Sequence, residues 1–269
     1  MRRNEYQSRV AGIGPPEGEF PAVRPRHRWY LTIKATVEWI IALGMLIVAA
    51  PILGVLAGLV RLTSPGPAFY AQTRVGRNGR IFQMYKLRSM RHQCEAQTGP
   101  IWSPRNDSRI TPIGRVLRQT HLDELPQLVH VLQGNMSLIG PRPERPELCT
   151  LIEQKIPQFR QRLQLRPGLT GLAQSRLPGD VALHTVRRKL THDLYYIREV
   201  SPWLDLRIAL STALYLMGVA LHIVGRRLVN QYGAAAEFDT ETGRLIAEGQ
   251  PQEELEALAT GADQAPLHL

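Results

Sequence analysis

Cysteine is nearly absent from this 269-residue chain, with only Cys94 and Cys149. They lie far apart in no metal-ligand spacing, which argues against a disulfide framework and fits reduced thiols in a cytosolic compartment. No cleavable signal peptide is readable, because the first long apolar stretch starts too late and runs too long. Internal repeats are missing, and so is any recognised nucleic-acid-binding motif or aromatic interleaving of the basic residues. Acidic residues are scarce until the chain's last stretch. From Gln231 to Leu269 there are eight acids against one Arg, a net of −7. Residues 1–230 therefore hold 32 basic and 15 acidic residues, a net of +17 within an overall charge of +10. A basic body of this kind points to an anionic partner: nucleic acid, anionic lipid or a phosphorylated substrate.

Charge is also missing from Trp39 to Val60, 22 residues that read WIIALGMLIVAAPILGVLAGLV. As a helix this run spans a hydrocarbon core of about 30 Å. Arg24, Arg26, Arg28 and Lys34 precede it, and Arg61, Arg74, Arg77 and Arg80 follow it. Lys/Arg excess marks cytoplasmic flanks, and a straight single span does not explain two such flanks. A helix broken at Pro51 and returning to the same face explains both, since proline removes a backbone hydrogen bond. A straight span stays the alternative path.

The rest divides readily. Residues 1–33 form a flexible basic arm, 34–62 the membrane helix, 63–228 the main domain and 229–269 an acidic tail expected to be disordered. The GRNG of residues 76–79 signals a hairpin. Leu122, Leu125, Leu128, Val129 and Leu132 make a helical stripe. Residues 152–171 read as an amphipathic helix ending near Arg166-Pro167-Gly168, 181–200 as a further helix, and 202–224 as an amphipathic-to-apolar one suited to a membrane interface.

The candidate site is the Asp123–Glu124 pair. Thr120 to Asp123 is an S/T-x-x-D capping box before an apolar run, and this alone accounts for Asp123 as a helix-start acid. The surroundings add a second reading. Arg109, Arg115 and Arg118 lead into the pair, Arg142 and Arg145 follow in GPRPERP, Arg166 opens RPGLTG, and Lys86 and Arg88 lie in YKLRSM. Arginine forks suit phosphate oxygens. One carboxylate then serves as a nucleophile toward phosphorus and its neighbour as a ligand for Mg²⁺. Phosphoryl transfer depends chiefly on positioning and charge neutralisation.

Four blocks carry a specific resemblance: SPGPAFYAQTRVGRNGRIFQMYKLRSM, DSRITPIGRVLRQTHLDELPQLVHVLQGNMSLIGPRP, LRPGLTGLAQ and RRKLTHDLYYIREVSPWLDLRI. Between about Lys34 and Leu214 the chain resembles the monotopic phosphoglycosyl transferases of the small catalytic-core type, which are bacterial polyprenyl-phosphate sugar-1-phosphate transferases. The resemblance implies an α+β, mainly helical fold: a re-entrant membrane helix, a short β-hairpin and interfacial amphipathic helices around a cytoplasmic active site. It implies transfer of a sugar 1-phosphate from a UDP-sugar to a polyprenyl phosphate, with undecaprenyl phosphate expected. UMP is released, and a covalent aspartyl-phosphosugar forms on Asp123. Mg²⁺ is held by Glu124 and Asp123. Lys86, Arg88, Arg115, Arg118, Gln127, Arg142, Pro143, Arg145, Arg166 and Asp193 are the expected substrate-binding residues. The expected setting is the bacterial inner membrane, with the catalytic domain facing the cytoplasm. Further contacts are expected with a second copy or with downstream glycosyltransferases. His121 replaces the family's usual Ser, Asn135 its usual Asp, and the loop SRLPGD its usual V-N-G-R. The alternative is a non-catalytic membrane-anchored scaffold that binds anionic lipid or a glycan-assembly partner. There the acidic pair only caps a helix.

Overall fold

The computed structural model describes residues 23–94, 107–176, 183–216 and 218, together with the backbone of two short strands at 236–238 and 245–247. Most of the basic arm, the rest of the SRLPGD loop after Arg176 and most of the acidic tail lie outside the described residues.

The first element is helix α1, Arg28–Thr63, 36 residues with Pro51 inside. It starts six residues before the expected boundary at Lys34. The end of the expected arm is docked: Val23 is buried, its N–H donates to Gln161 Oε1 (3.0 Å), and Arg26 N–H donates to the Arg198 carbonyl (3.0 Å). Pro51 does not end it: the chain remains one helix from Arg28 to Thr63 rather than two.

One stripe of α1 faces protein along its whole length. Tyr30, Lys34, Glu38, Ala42, Ala49 and Val60 are buried, with Leu46, Leu53 and Leu56 packed between them at intervals of three and four. The other side is apolar and open; Ile47, Val48 and Val55 are each about two-thirds exposed (66, 70 and 65%). By length and composition this helix is long and apolar enough to cross a membrane.

Strands β1 (Phe69–Val75) and β2 (Ile81–Leu87) pair antiparallel, in register from Phe69↔Leu87 to Val75↔Ile81. The turn is wider than the two-residue kind that Asn-Gly signals. It spans Gly76 to Arg80, with Asn78 and Gly79 both left-handed (φ 54° and 78°). Helix α2, Pro112–Thr120, is capped by Thr111 Oγ1, which accepts from Gly114 N–H at 3.0 Å. Gly114 is required there, as a Cβ would lie 1.9 Å from the Ser89 carbonyl oxygen.

The stripe at 122–132 splits in two: a 3-10 segment Leu122–Gln127 and the short helix α3, Leu128–Leu132. Pro126 within the first part has no N–H to offer an α-helix. Strand β3 (Ser137–Ile139) follows, then α4 (Pro146–Lys155) and a 3-10 segment Pro157–Gln164. The expected amphipathic helix across 152–171 is thus interrupted at Pro157. Strand β4 (Gly168–Thr170) lies parallel to β3, and a Cβ on Gly168 would come within 2.1 Å of Gly140 N. Helices α5 (Leu172–Arg176), α6 (Leu183–Glu199) and α7 (Pro202–Leu216) complete the domain. In the tail, β5 (Ala236–Phe238) pairs antiparallel with β6 (Leu245–Ala247).

The largest core cluster gathers α4, the 157–164 segment, α6 and α7 around Cys149, Ile152, Leu190, Leu194 and Ile208. Two smaller clusters join α1 to the site region: Ala42 with Phe82, Met84 and Leu128, and Val60 with Leu87 and Leu117. Helix α7 buries Leu204, Asp205 and Ile208 but leaves Trp203, Leu206, Leu210, Tyr215 and Leu216 open.

Candidate active site

Helix α2 ends at His121, whose left-handed backbone (φ 57°) turns the chain into the 3-10 segment that carries Asp123 and Glu124. The capping box is not formed. Thr120 Oγ1 donates back to the Val116 carbonyl at 2.8 Å and so belongs to the end of α2, while no side chain caps the following segment. Asp123 therefore is not explained as the partner of an N-cap.

Lys86 enters from β2. Its neighbours fix it: Leu87 is buried, and Tyr85 N–H donates to His130 Nε2 (3.0 Å) while the two rings stack at 5.2 Å. Lys86 Nζ and Arg142 Nη2 each lie 2.6 Å from Glu124 Oε1, and Arg142 Nη1 is 3.4 Å from Oε2. The two cations outweigh burial and hold the Glu124 carboxyl well below its ordinary value. In return Glu124 pushes the Arg142 guanidinium up. Burial lowers Lys86, with Glu124 opposing.

Asp123 differs. It is 6% exposed, and among the described residues its carboxylate has neither a hydrogen bond nor an ion pair. Burial raises its pKa, against the pull of Lys86, Arg118 and His121. Its oxygens are not among the buried side-chain atoms left without a partner, because the carboxylate opens on the cleft described next.

Both acids open on a cleft of about 830 Å³ lined by nine basic and three acidic residues. Its size and charge suit a phosphorylated ligand. Lys86, Arg88, Arg118, Arg142 and Arg145 line it, with His121, Tyr70, Gln72, Arg74 and Lys189. Arg118 Nε donates to Ser89 Oγ at 2.9 Å.

Not all of the expected residues present a free group to the cleft. Although Arg88 lines the cleft, its guanidinium is spent on the end of α1, donating to the Ser64 carbonyl at 2.6 Å and to that of Pro65. Arg115 is exposed on α2 outside the lining, and half-buried Arg166 stands near Gly134. Gln127 is buried behind the pair, its Nε2 without a partner among the described residues. Pro143 is buried in the turn, and Asp193 faces Arg162 at 2.7 Å rather than the cleft. Asn135 bonds Gln133 (3.2 Å) on the exposed side of its turn. Arg74, Gln72 and Lys189 were not singled out from the sequence as site residues. Only the i, i+2, i+4 alternation that places Tyr70, Gln72 and Arg74 on one face of β1 signals two of them.

Comparison with known proteins gives the family. Residues 29–218 match the family described as bacterial sugar transferase. The chain belongs to that family. A UDP-glucose:undecaprenyl-phosphate glucose-1-phosphate transferase of Xanthomonas campestris pv. campestris is 40% identical over 195 residues, 72% of this chain and 40% of its own length. The exopolysaccharide production protein PSS of Rhizobium leguminosarum bv. phaseoli is 41% identical over 187 residues, 68% of this chain and 94% of its own. A UDP-N-acetylgalactosamine-undecaprenyl-phosphate N-acetylgalactosaminephosphotransferase of Aeromonas hydrophila is 39% identical over 183 residues, 68% of this chain and 43% of its own. The chain thus spans less than half of the first and third and nearly all of the second. Relatives named for glucose and for N-acetylgalactosamine are almost equally similar, so identity alone does not select the sugar.

Proposed function

We propose that this bacterial sugar transferase moves a sugar 1-phosphate from a UDP-sugar to a polyprenyl phosphate, undecaprenyl phosphate by the names of its relatives. In the first step an Asp123 oxygen attacks the sugar-bearing phosphorus, the bond to the UMP oxygen breaks, and UMP leaves. In the second the lipid phosphate oxygen attacks the same phosphorus, the acyl phosphate bond breaks, and the Asp123 carboxylate is restored. The product would start assembly of a membrane-linked polysaccharide or glycoconjugate.

The observation that carries this reading is the contrast within the pair. Glu124 is clamped by two cations, whereas Asp123, at the wall of a basic cleft, has no hydrogen bond or ion pair among the described residues. A scaffold would use the pair only as a helix cap, and Thr120 does not make that cap.

Two carboxylates fit Mg²⁺ in the way this ion usually binds beside substrate phosphates, with Asp123 and Glu124 Oε2 as ligands. The described residues hold no cluster of three or more His, Cys, Asp or Glu side chains, so substrate oxygens and water would complete the set. The ion would supply charge neutralisation on the phosphoryl group.

Helix α1 would enter one leaflet and return to the cytoplasmic face of the inner membrane. In support, α1 is in contact with the domain through Tyr30 and Lys34 near its start and Val60 near its end. The open apolar sides of α1 and α7 would then face lipid.

The test is UMP release by detergent-solubilised protein with Mg²⁺ and undecaprenyl phosphate across a panel of UDP-sugars. UMP from one donor, lost in Asp123→Asn, is expected. Full turnover in that variant, with no deamidation back to Asp, would reject Asp123 as nucleophile.

A further inference from the structure

The turn Pro141-Arg142-Pro143-Glu144 presents Arg142 to Glu124, yet two of its four residues have no N–H. Such a turn can be held from outside mainly through its carbonyls. All four are taken, each at 2.9 Å. Pro141 O accepts from Gly168 N–H, Arg142 O from Arg162 Nη2, Pro143 O from Arg74 Nη1 and Glu144 O from Val75 N–H.

Two of these donors are backbone groups of β4 and β1, supplied by the strands themselves. The other two are arginines, and each is fixed in turn. Gln72 Oε1 accepts from Arg74 Nε and Nη2 (3.1 and 2.6 Å). Asp193 Oδ2 lies 2.7 Å from Arg162 Nη2, and the Arg162 guanidinium sits 4.8 Å over the Phe159 ring. Arg162 and Asp193 are 6% and 3% exposed, so neither is spare surface charge. Arg162 reaches both the Asp193 carboxylate and the Arg142 carbonyl through Nη2, whereas Arg74 uses its fork, Nη1 on the Pro143 carbonyl and Nε and Nη2 on Gln72.

We propose that Arg74 and Arg162 are positioning residues that hold the Pro141–Glu144 turn by its carbonyls so that Arg142 meets Glu124, with Gln72 and Asp193 orienting the two guanidiniums. This assigns Asp193 to the support of the turn rather than to substrate. Its catalytic consequence rests on the transferase reading above, while the structural part does not.

The experiment compares Arg162→Lys and Arg74→Lys in the full-length protein in detergent by two readouts. Amide hydrogen exchange at Val75 and Gly168 reports on the turn directly, because their acceptors are the Glu144 and Pro141 carbonyls. Faster exchange at both sites, relative to amides of α7, is expected. Turnover is then measured in a double-mutant cycle with Arg142→Lys. Arg162→Lys should lower kcat roughly 10- to 100-fold in the wild-type background, as a small misplacement of a reacting group does. It should change it less than about twofold once Arg142 is replaced. An equal loss in both backgrounds, or unchanged exchange at Val75 and Gly168, would overturn the proposal. If the wild-type protein releases no UMP from any donor, the transferase reading fails, and the exchange measurement still decides whether the turn is held this way.

Discussion

Two buried networks in this molecule combine acids with cations, and they are finished differently. Behind the cleft, Lys34 Nζ lies 2.6 Å from both Glu38 Oε1 and Asp205 Oδ2. The Tyr30 and Tyr196 hydroxyls donate to Asp205 at 2.7 Å each. Glu38 also accepts from Ile139 N–H (3.1 Å) and from the Ser137 hydroxyl. Each carboxylate oxygen there has a partner, and the network joins α1, β3, α6 and α7. At the cleft, Lys86, Glu124 and Arg142 form a similar cluster, but Asp123 beside them has no such partner among the described residues. A closed polar network helps specify the fold, whereas the acid open to the cleft is accessible to a ligand.

Replacing the open acid gives the largest expected effect on activity. If Asp123 is the nucleophile proposed above, Asp123→Asn should lower UMP release on the order of 10³-fold or more. Its Tm should be unchanged or raised, since a desolvated charge is removed. The closed network should behave in the opposite sense. Lys34→Met leaves Glu38 and Asp205 buried without their cation, and about 3–5 kcal/mol of stability should be lost in denaturant titration. A Lys34→Met protein as stable as wild type would end the distinction between the two clusters.

Glu124 sharpens the comparison through pH. Its folded pKa lies well below the ordinary 4.5, so its stabilising contribution is present above that value. The contribution is lost as pH falls through the folded pKa. Thermal scans of wild type below pH 4.5 should show this decline, and Glu124→Gln should lack that part of it. The smallest effect concerns thiols. Half-exposed Cys94 on the cleft should label readily, while Cys149, fully buried with its thiol pushed up by burial, should label only on unfolding.

Much of this was legible in the chain itself. Adjacent acids flanked by Lys86 and by the Arg142 turn show the chemistry in one dimension, because each sits in a short block whose residues stay together in the fold. The apolar helix follows from length alone. Its inner stripe does not, since Leu and Ile on an apolar helix look the same whether they face protein or solvent. Pro126 and Pro157 each divide an expected helix, because a residue without an N–H interrupts the backbone ladder whatever the apolar periodicity around it. The S/T-x-x-D pattern at Thr120 misleads because a hydroxyl can equally well bond back to the preceding turn. Arg74 and Arg162 were hidden for another reason: an arginine that serves a backbone carbonyl cannot be told from a surface one until the path of the backbone is known.

The inner stripe of α1 has a consequence for how the protein is made and handled. Cutting the chain before Ser64 would not free a water-soluble enzyme from its anchor. It would remove Ala42 and Val60 from two core clusters and strip Asp205 of Lys34. The most apolar segment of the chain is also one wall of the globule, so the domain and this helix have to be expressed and purified as one piece.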